Sequence, residues 1–370
     1  MSARMIVRNP DLFQIVGHEE WSGWYAAFAR GRNALLAMMD ENISGTDARG
    51  VLKAMLIGDR GELSYRLKDD FAKSGTTHLL AISGMNMGLV AAIFVIVLRI
   101  MRIPRRWSYG LSVILLCAYC ALVGTSASVL RATIMSSLFM MGYVFKRETE
   151  IITSLSWSAA LIVLFSPMQV FDPGFQLSFI TLLATAVLYP EPVVEDEGSK
   201  SELQKFVFKI KNLCTLSLCA WVGILPVVAY YFFIVSPVTI LANLVVVPYL
   251  FVVTASGAAF LALGSFGGWI CSSFAASSEF FAAVLNWMCG MFARVPFAYF
   301  RVAPPGWMLF AVFYGALVLW VLRDSLKISK AKCAVVLLIA TNLFVWKGNF
   351  PAQADELKIT FLDVGHGDSA

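Results

Sequence analysis

Residues 76–98 read Thr76-Thr-His-Leu-Leu-Ala-Ile-Ser-Gly-Met-Asn-Met-Gly-Leu-Val-Ala-Ala-Ile-Phe-Val-Ile-Val-Leu98. From Leu79 onward this stretch has the length and apolar character to cross a bilayer, which takes about 20 residues. Its two halves differ. The second, Val90–Leu98, is plain hydrocarbon, whereas the first carries His78, Ser83 and Asn86, with Gly84 and Gly88 four apart. A Gly-x-x-x-Gly pair allows another helix backbone to approach closely, and polar groups at membrane depth are costly unless partnered or hydrated. The stretch therefore predicts one spanning helix with a polar opening half and an anchoring half. A tightly packed helix pair, with Ser83 and Asn86 bonded to neighbouring backbone, accounts for the same residues without any function.

The rest of the composition agrees with a membrane location. Of 370 residues, 59% are hydrophobic and 14% charged, against roughly 45–50% and 25% in soluble domains. The fold class expected is an all-α polytopic membrane protein. All seven cysteines (117, 120, 214, 219, 271, 289 and 333) lie in apolar segments, Cys117 and Cys120 included, and read as small buried hydrophobes. The three histidines, His18, His78 and His366, are too scattered to predict a metal cluster.

Basic loops set the expected threading. Arg99–Arg106 holds four arginines in eight residues, Lys146-Arg147 follows two crossings later, Glu191–Lys211 carries further lysines, and Arg323–Lys332 is again basic. Placing these on the cytoplasmic side gives about ten transmembrane helices with both termini outside. The crossings are Leu79–Leu98, Trp107–Gly124, Ser126–Phe145, Ile151–Ser166, Phe175–Tyr189, Leu213–Val235, Val238–Leu263, Gly268–Phe292, Trp307–Leu322 and Cys333–Trp346. Gly268–Phe292 is the weakest of them. Residues 21–75 have helical spacing of Trp21, Trp24, Tyr25 and Phe28 but too many charges to span, which predicts amphipathic helices at the membrane interface. Residues 1–20 read as the remnant of an outer N-terminal domain, and 76–347 as the transmembrane domain.

Within the predicted spans a few polar residues stand out. Arg131 sits six residues into its helix, where a charge faces a cavity or partner unless it snorkels to the surface. Asp172-Pro-Gly-Phe-Gln-Leu-Ser-Phe179 starts a span with a turn and carries Gln176 and Ser178 inward. Asn243 precedes Pro248, whose break frees backbone groups that membranes tolerate only beside protein or water.

At these residues the chain resembles the ComEC family of competence proteins. The resemblance is carried by Ser74-Gly-Thr-Thr-His-Leu-Leu-Ala-Ile-Ser-Gly84, by Gly124-Thr-Ser-Ala-Ser-Val-Leu-Arg-Ala132 with Met135, and by Asp172–Phe179. A fourth segment, Ile359-Thr-Phe-Leu-Asp-Val-Gly-His-Gly-Asp-Ser369, resembles the start of a metallo-β-lactamase-like domain and places that domain's truncated opening at 355–370. Two positions depart from the family pattern. Asn86 stands where a histidine is usual, and His366 where glutamine is most frequent. Asp363, His366 and Asp368 do not make a two-metal site by themselves, so divalent metals are expected only in the domain that would follow.

The resemblance implies passage of single-stranded DNA through the bacterial inner (cytoplasmic) membrane during natural transformation. It implies an outer DNA receptor and a cytoplasmic DNA-translocating ATPase as partners beside membrane lipid, and leaves self-association open. Arg131 is the candidate phosphate contact near the outer mouth. His78, Ser83, Gly84, Asn86, Gly88, Asp172, Gln176, Ser178 and Asn243 are candidates for the DNA path, and no catalysis or cofactor is expected of these residues. Without the resemblance, a secondary transporter of a small anionic solute or peptide fits broken, Gly-bearing helices equally. No internal inverted repeat is visible to support it.

Overall fold

The computed structural model describes residues 23–82, 84–124, 126–145, 150–189, 202–264 and 267–322, with 335 and 339 as isolated helical positions. Three helices lead: α1 (Trp24–Asn42), α2 (Thr46–Leu56) and α3 (Tyr65–Lys73). Nine apolar ones follow, α4 (Gly84–Ile100), α5 (Arg105–Val123), α6 (Ala127–Phe145), α7 (Ile151–Phe165), α8 (Pro173–Leu188), α9 (Glu202–Phe232), α10 (Thr239–Leu263), α11 (Gly268–Ala293) and α12 (Trp307–Leu322). They correspond in order to nine of the ten expected crossings. The tenth, Cys333–Trp346, falls outside the described residues, as do residues 1–20 and 355–370.

Five of these helices, α5, α6, α9, α10 and α11, are long and apolar enough to span a membrane. The weakest expected crossing is therefore a full-length helix of 26 residues. Large apolar side chains point outward along the bundle, among them Ile96, Trp157, Leu164, Phe280 and Trp307. Water would not tolerate that surface, and hydrocarbon does. The chain is a helical membrane protein.

Local sequence explains the helix boundaries. The Asp172 side chain caps α8 by accepting from the Phe175 N–H at 3.1 Å, and Pro173 opens the helix where its missing N–H costs nothing. Pro226 and Pro248 lie inside α9 and α10 without ending them. A two-residue ribbon, β1 (Ile234–Val235) paired antiparallel with β2 (Phe300–Arg301), ties the α9–α10 connection to the segment before α12.

Four buried clusters organise the packing. The largest joins α1, α2 and α3 to α10 and α11, with Met39, Leu52, Met55, Phe71, Val253, Phe260 and Leu285 at its centre. A second holds α4, α5 and α6 together through Met87, Leu116 and Ala132. The others join α6 to α7 and α8, and α9 to α12.

Two expectations need correction. The helix expected from Leu79 begins at Gly84, preceded by a 3-10 turn over Thr77–Leu80 and an extended Ala81. In a continuous helix the Leu80 carbonyl would accept from residue 84. Here it accepts instead from the Arg60 Nε–H at 3.1 Å. The remaining 17 residues of α4 cover about 25 Å, short of the roughly 30 Å hydrocarbon core.

The second correction concerns α2, which was expected at the bilayer surface with its neighbours. It is enclosed by protein instead. Val51, Leu52, Ala54, Met55 and Leu56 are buried in the same cluster as α10 and α11. Its polar residues are met locally. The buried Lys53 ammonium donates to Asp40 and Glu62, while Arg49 lies beside the same two carboxylates.

The start of α2 is held from across the bundle. Glu279, the one acid of α11, accepts from the Ser44 N–H at 3.1 Å and the Gly45 N–H at 2.8 Å. A carboxylate there also complements the positive end of the helix. Glu279→Ala orphans both amides and is expected to cost about 1–3 kcal/mol. Hydrogen exchange would report it as faster exchange of the amides at the α2 N-terminus, with Glu279→Gln intermediate.

Candidate functional site

The opening of α4 is the junction of the bundle. Its first turn touches α6, because a Cβ built on Gly84 would lie 3.3 Å from Arg131 Nη2 and 3.7 Å from the Ala132 Cβ. Its second contact is Asn86, which is buried. The Asn86 Oδ1 accepts from the Thr254 hydroxyl of α10 at 3.4 Å, and its amide donates to the Met55 carbonyl of α2 at 3.5 Å. Both bonds are long, and they make Asn86 a meeting point of three helices.

Arg131 is the exceptional group. It is 7% exposed, and its Nη1 donates to the Ser178 carbonyl of α8 at 2.8 Å. The guanidinium lies 5.8 Å from the centre of the Phe179 ring. Its Nε is buried without a hydrogen-bond partner, and no carboxylate pairs with it among the described residues. Burying a cation costs several kcal/mol, which a single carbonyl and a ring face offset only in part.

Of the residues expected from sequence, the structure brings Gly84, Arg131 and Ser178 together, with Asn86 one step along α4. Ser178 takes part through its backbone, not its hydroxyl. The others stand apart. His78 is exposed on the 3-10 turn. Asp172 is the α8 cap. Gln176 braces two elements, its amide donating to the Val170 carbonyl at 3.0 Å and its oxygen accepting from the Tyr231 hydroxyl of α9 at 3.1 Å. Asn243 donates to the Ser217 hydroxyl of α9 at 3.0 Å, leaving its own oxygen buried and unpartnered.

Gly88 disappoints as the second half of a close helix contact. It is exposed, with nothing within 4 Å of a Cβ placed there. Ser83 lies outside the described residues. The side chains that sequence reasoning passed over are the partners: Thr254, Tyr231, Ser217 and Glu279. Only Glu279 carried a signal, as an isolated charge in an apolar run.

The turn before α4 is built as carefully as its first residues. Gly75 has φ +72°, a conformation that side chains disfavour. The Ser74 and Thr76 hydroxyls lie 2.7 Å apart in the core, and the Thr239 hydroxyl donates to the Ser74 carbonyl at 3.4 Å. The Ser236 hydroxyl donates to the Ala72 carbonyl at 3.2 Å. The start of α10 thus seats the Ser74-Gly75-Thr76 turn, and the turn aims the chain into the bundle centre.

This turn, the α4 opening, Arg131 and the α8 cap are the segments that carried the resemblance, and residues 55–327 match the Competence protein family. That match covers most of the chain. The chain belongs to the competence protein family. It is similar to ComE operon protein 3 of Bacillus subtilis (strain 168), at 28% identity over 87% of this chain and 40% of that protein. An uncharacterized protein of Aquifex aeolicus (strain VF5) is 29% identical over 60% of this chain and 49% of its own length. Competence protein ComA of Neisseria gonorrhoeae is 29% identical over 43% of this chain and 24% of its own. The chain spans half or less of the length of these relatives. No solved structure matches it.

Asp363, His366 and Asp368, which were not expected to form a metal site by themselves, lie outside the described residues.

Proposed function

We propose that this bundle is the inner-membrane channel that passes a single DNA strand into the cytoplasm during natural transformation. The observation that carries the reading is the break before α4. Non-helical backbone inside a membrane bundle is tolerated where protein or a water-filled cavity satisfies it. Here the break sits beside a buried arginine that no acid among the described residues neutralises. Family membership supports the cargo, since the matched family and one of the similar proteins are named for competence.

In this reading the strand is neither read nor cut by the described residues. A passing polyanion needs a few cations that neutralise phosphates briefly, since tight binding at many points would stop it. An outer receptor delivers the strand and a cytoplasmic ATPase draws it through. The basic ends, Arg99–Arg106 among them, face the cytoplasm, and both termini lie outside. Catalysis and metal binding are assigned to none of these residues.

The test is a transformable bacterium in which this chain replaces the matching membrane segment of its own competence protein. Labelled DNA is expected to reach the cytoplasm, while small anionic solutes and peptides remain excluded. Solute entering without DNA, at normal membrane levels, would instead establish the secondary transporter.

A further inference from the structure

Three contacts place the leading helices along the whole length of α11. Near its start, the Cys271 thiol donates to the Asn42 Oδ1 of α1 at 3.3 Å. In its middle, Glu279 accepts from the Ser44 and Gly45 N–H groups that precede α2. Near its end, the Thr76 hydroxyl, just beyond α3, donates to the Cys289 sulfur at 3.5 Å. From Cys271 to Cys289 the helix rises about 27 Å, close to the roughly 30 Å of a hydrocarbon core. Helices lying flat at a membrane surface would meet α11 at one depth only. The α1–α3 layer flanks it from end to end.

This layer has two unlike faces. The inner one is the buried apolar cluster shared with α10 and α11. The outer one exposes Asp40, Glu41, Asp47, Glu62, Arg66 and Lys68. The backbone at Ile43–Gly45, level with the middle of α11, is non-helical, and Ser44 there is exposed. A charged side chain at the bilayer centre costs about 2.5–3.5 kcal/mol on insertion scales. Non-helical backbone at that depth is tolerated only against protein or water. Lipid is therefore excluded from this face. The other side of α11 has the opposite character. Phe280, next to Glu279, is 62% exposed, and Trp287 is exposed one further turn and more along the helix. That surface suits hydrocarbon.

We propose that the outer face of α1–α3 is the wall of a water-filled vestibule that enters the membrane beside α11 and reaches at least to its middle. The vestibule rests on the geometry; only its use by a DNA strand rests on the channel reading above. Its wall carries both signs of charge, with Asp40 and Glu62 tied to Lys53 and Arg49. Such a wall wets a passage without gripping a polyanion along its length.

The experiment is hydroxyl-radical labelling of the unsubstituted chain in phosphatidylcholine nanodiscs, read residue by residue by peptide mass spectrometry. It compares two exposed rings. Tyr65 is 85% exposed on α3 and follows Ser64, whose hydroxyl donates at 3.2 Å to Asp47 in the first turn of α2. Phe280 adjoins Glu279 on the apolar side of α11. After correction for ring reactivity, Tyr65 is expected to be oxidised at least about tenfold faster, since the radicals form in water and the hydrocarbon core holds none. A second comparison uses a membrane-impermeant cationic methanethiosulfonate, mapped to the substituted position. Thr46→Cys, beside Gly45, should react much faster than Phe280→Cys.

Comparable labelling at both positions would mean that this part of the bundle stands clear of the membrane. Protection of both would mean that lipid or protein covers α1–α3. Either result overturns the vestibule. Neither decides the channel reading, which is scored separately by uptake of labelled DNA in the chimera.

Discussion

Gly75→Ala is expected to be the most damaging single-methyl change in the described chain. Two costs add. An L-residue held at φ +72° loses about 1–2 kcal/mol. The new Cβ would also overlap the Thr239 hydroxyl and press on the Ser236 Cβ, and overpacking of this kind costs about 1–3 kcal/mol. The sum, about 2–5 kcal/mol, is a large fraction of a typical stability. It should appear as a lower melting temperature in detergent and as loss of membrane-inserted protein. The double variant Gly75→Ala/Thr239→Ala separates the two terms. It should recover the part due to the hydroxyl and retain both the backbone part and the crowding by the Thr239 and Ser236 Cβ atoms. Equal instability of single and double variants would show that the seat on α10 is not where the strain arises.

The Lys53 network gives the second large effect, and its sign depends on which partner is removed. Lys53 has a side chain only 4% exposed, whereas Asp40 and Glu62 are 46% and 40% exposed. Lys53→Met removes the buried charge and leaves two carboxylates that water can hydrate, so its cost should stay near or below about 1 kcal/mol. Asp40→Asn/Glu62→Gln leaves the buried ammonium without counter-charge. That should cost about 2–4 kcal/mol, somewhat under the range for fully buried pairs because water reaches the rim.

The same network fixes a pH dependence. Burial alone would lower the Lys53 pKa, but the hydrogen bonds and charges of Glu62 and Asp40 outweigh it, and the net shift is upward from 10.5. The folded state therefore holds the proton more tightly than the unfolded chain. Its contribution is fully present below about pH 10.5 and is lost as pH rises through the raised value. Unfolding of the α1–α3 region, followed by hydrogen exchange or protease cleavage, should show no Lys53-dependent change between pH 6 and 9. The unsubstituted chain should lose its advantage over Lys53→Met only under strongly alkaline conditions.

Much of this architecture was legible in the residues, for reasons that can be named. Hydropathy over long runs places α5, α6, α9, α10 and α11, because lipid demands uninterrupted apolar helices. Asp172-Pro173 announces the start of α8 by local chemistry. Arg131 announces itself by depth alone. The features that escaped are long-range. Nothing near Leu80 reveals that Arg60, twenty residues earlier, takes its carbonyl and lets the helix begin at Gly84. The apolar face of α2 reads the same whether it meets lipid or α10 and α11, and only the packed bundle decides. Gly88 shares the spacing of Gly84, yet only Gly84 meets a neighbouring helix. Asn86, Gln176 and Asn243 were visible as polar residues in spans, but their partners Thr254, Tyr231 and Ser217 are ordinary in sequence.

The most direct test of a DNA path beside α4 is a photo-crosslink during uptake. Phe179→p-benzoylphenylalanine places the probe against Arg131, and Trp157→p-benzoylphenylalanine places it at an exposed position on α7. Both are made in the chimeric competence protein of the transformable host, which is then illuminated while labelled DNA enters. A covalent adduct with the strand at position 179 and none at 157 is the predicted result. Uptake at a normal rate with no adduct at 179 would place the strand elsewhere and contradict the account.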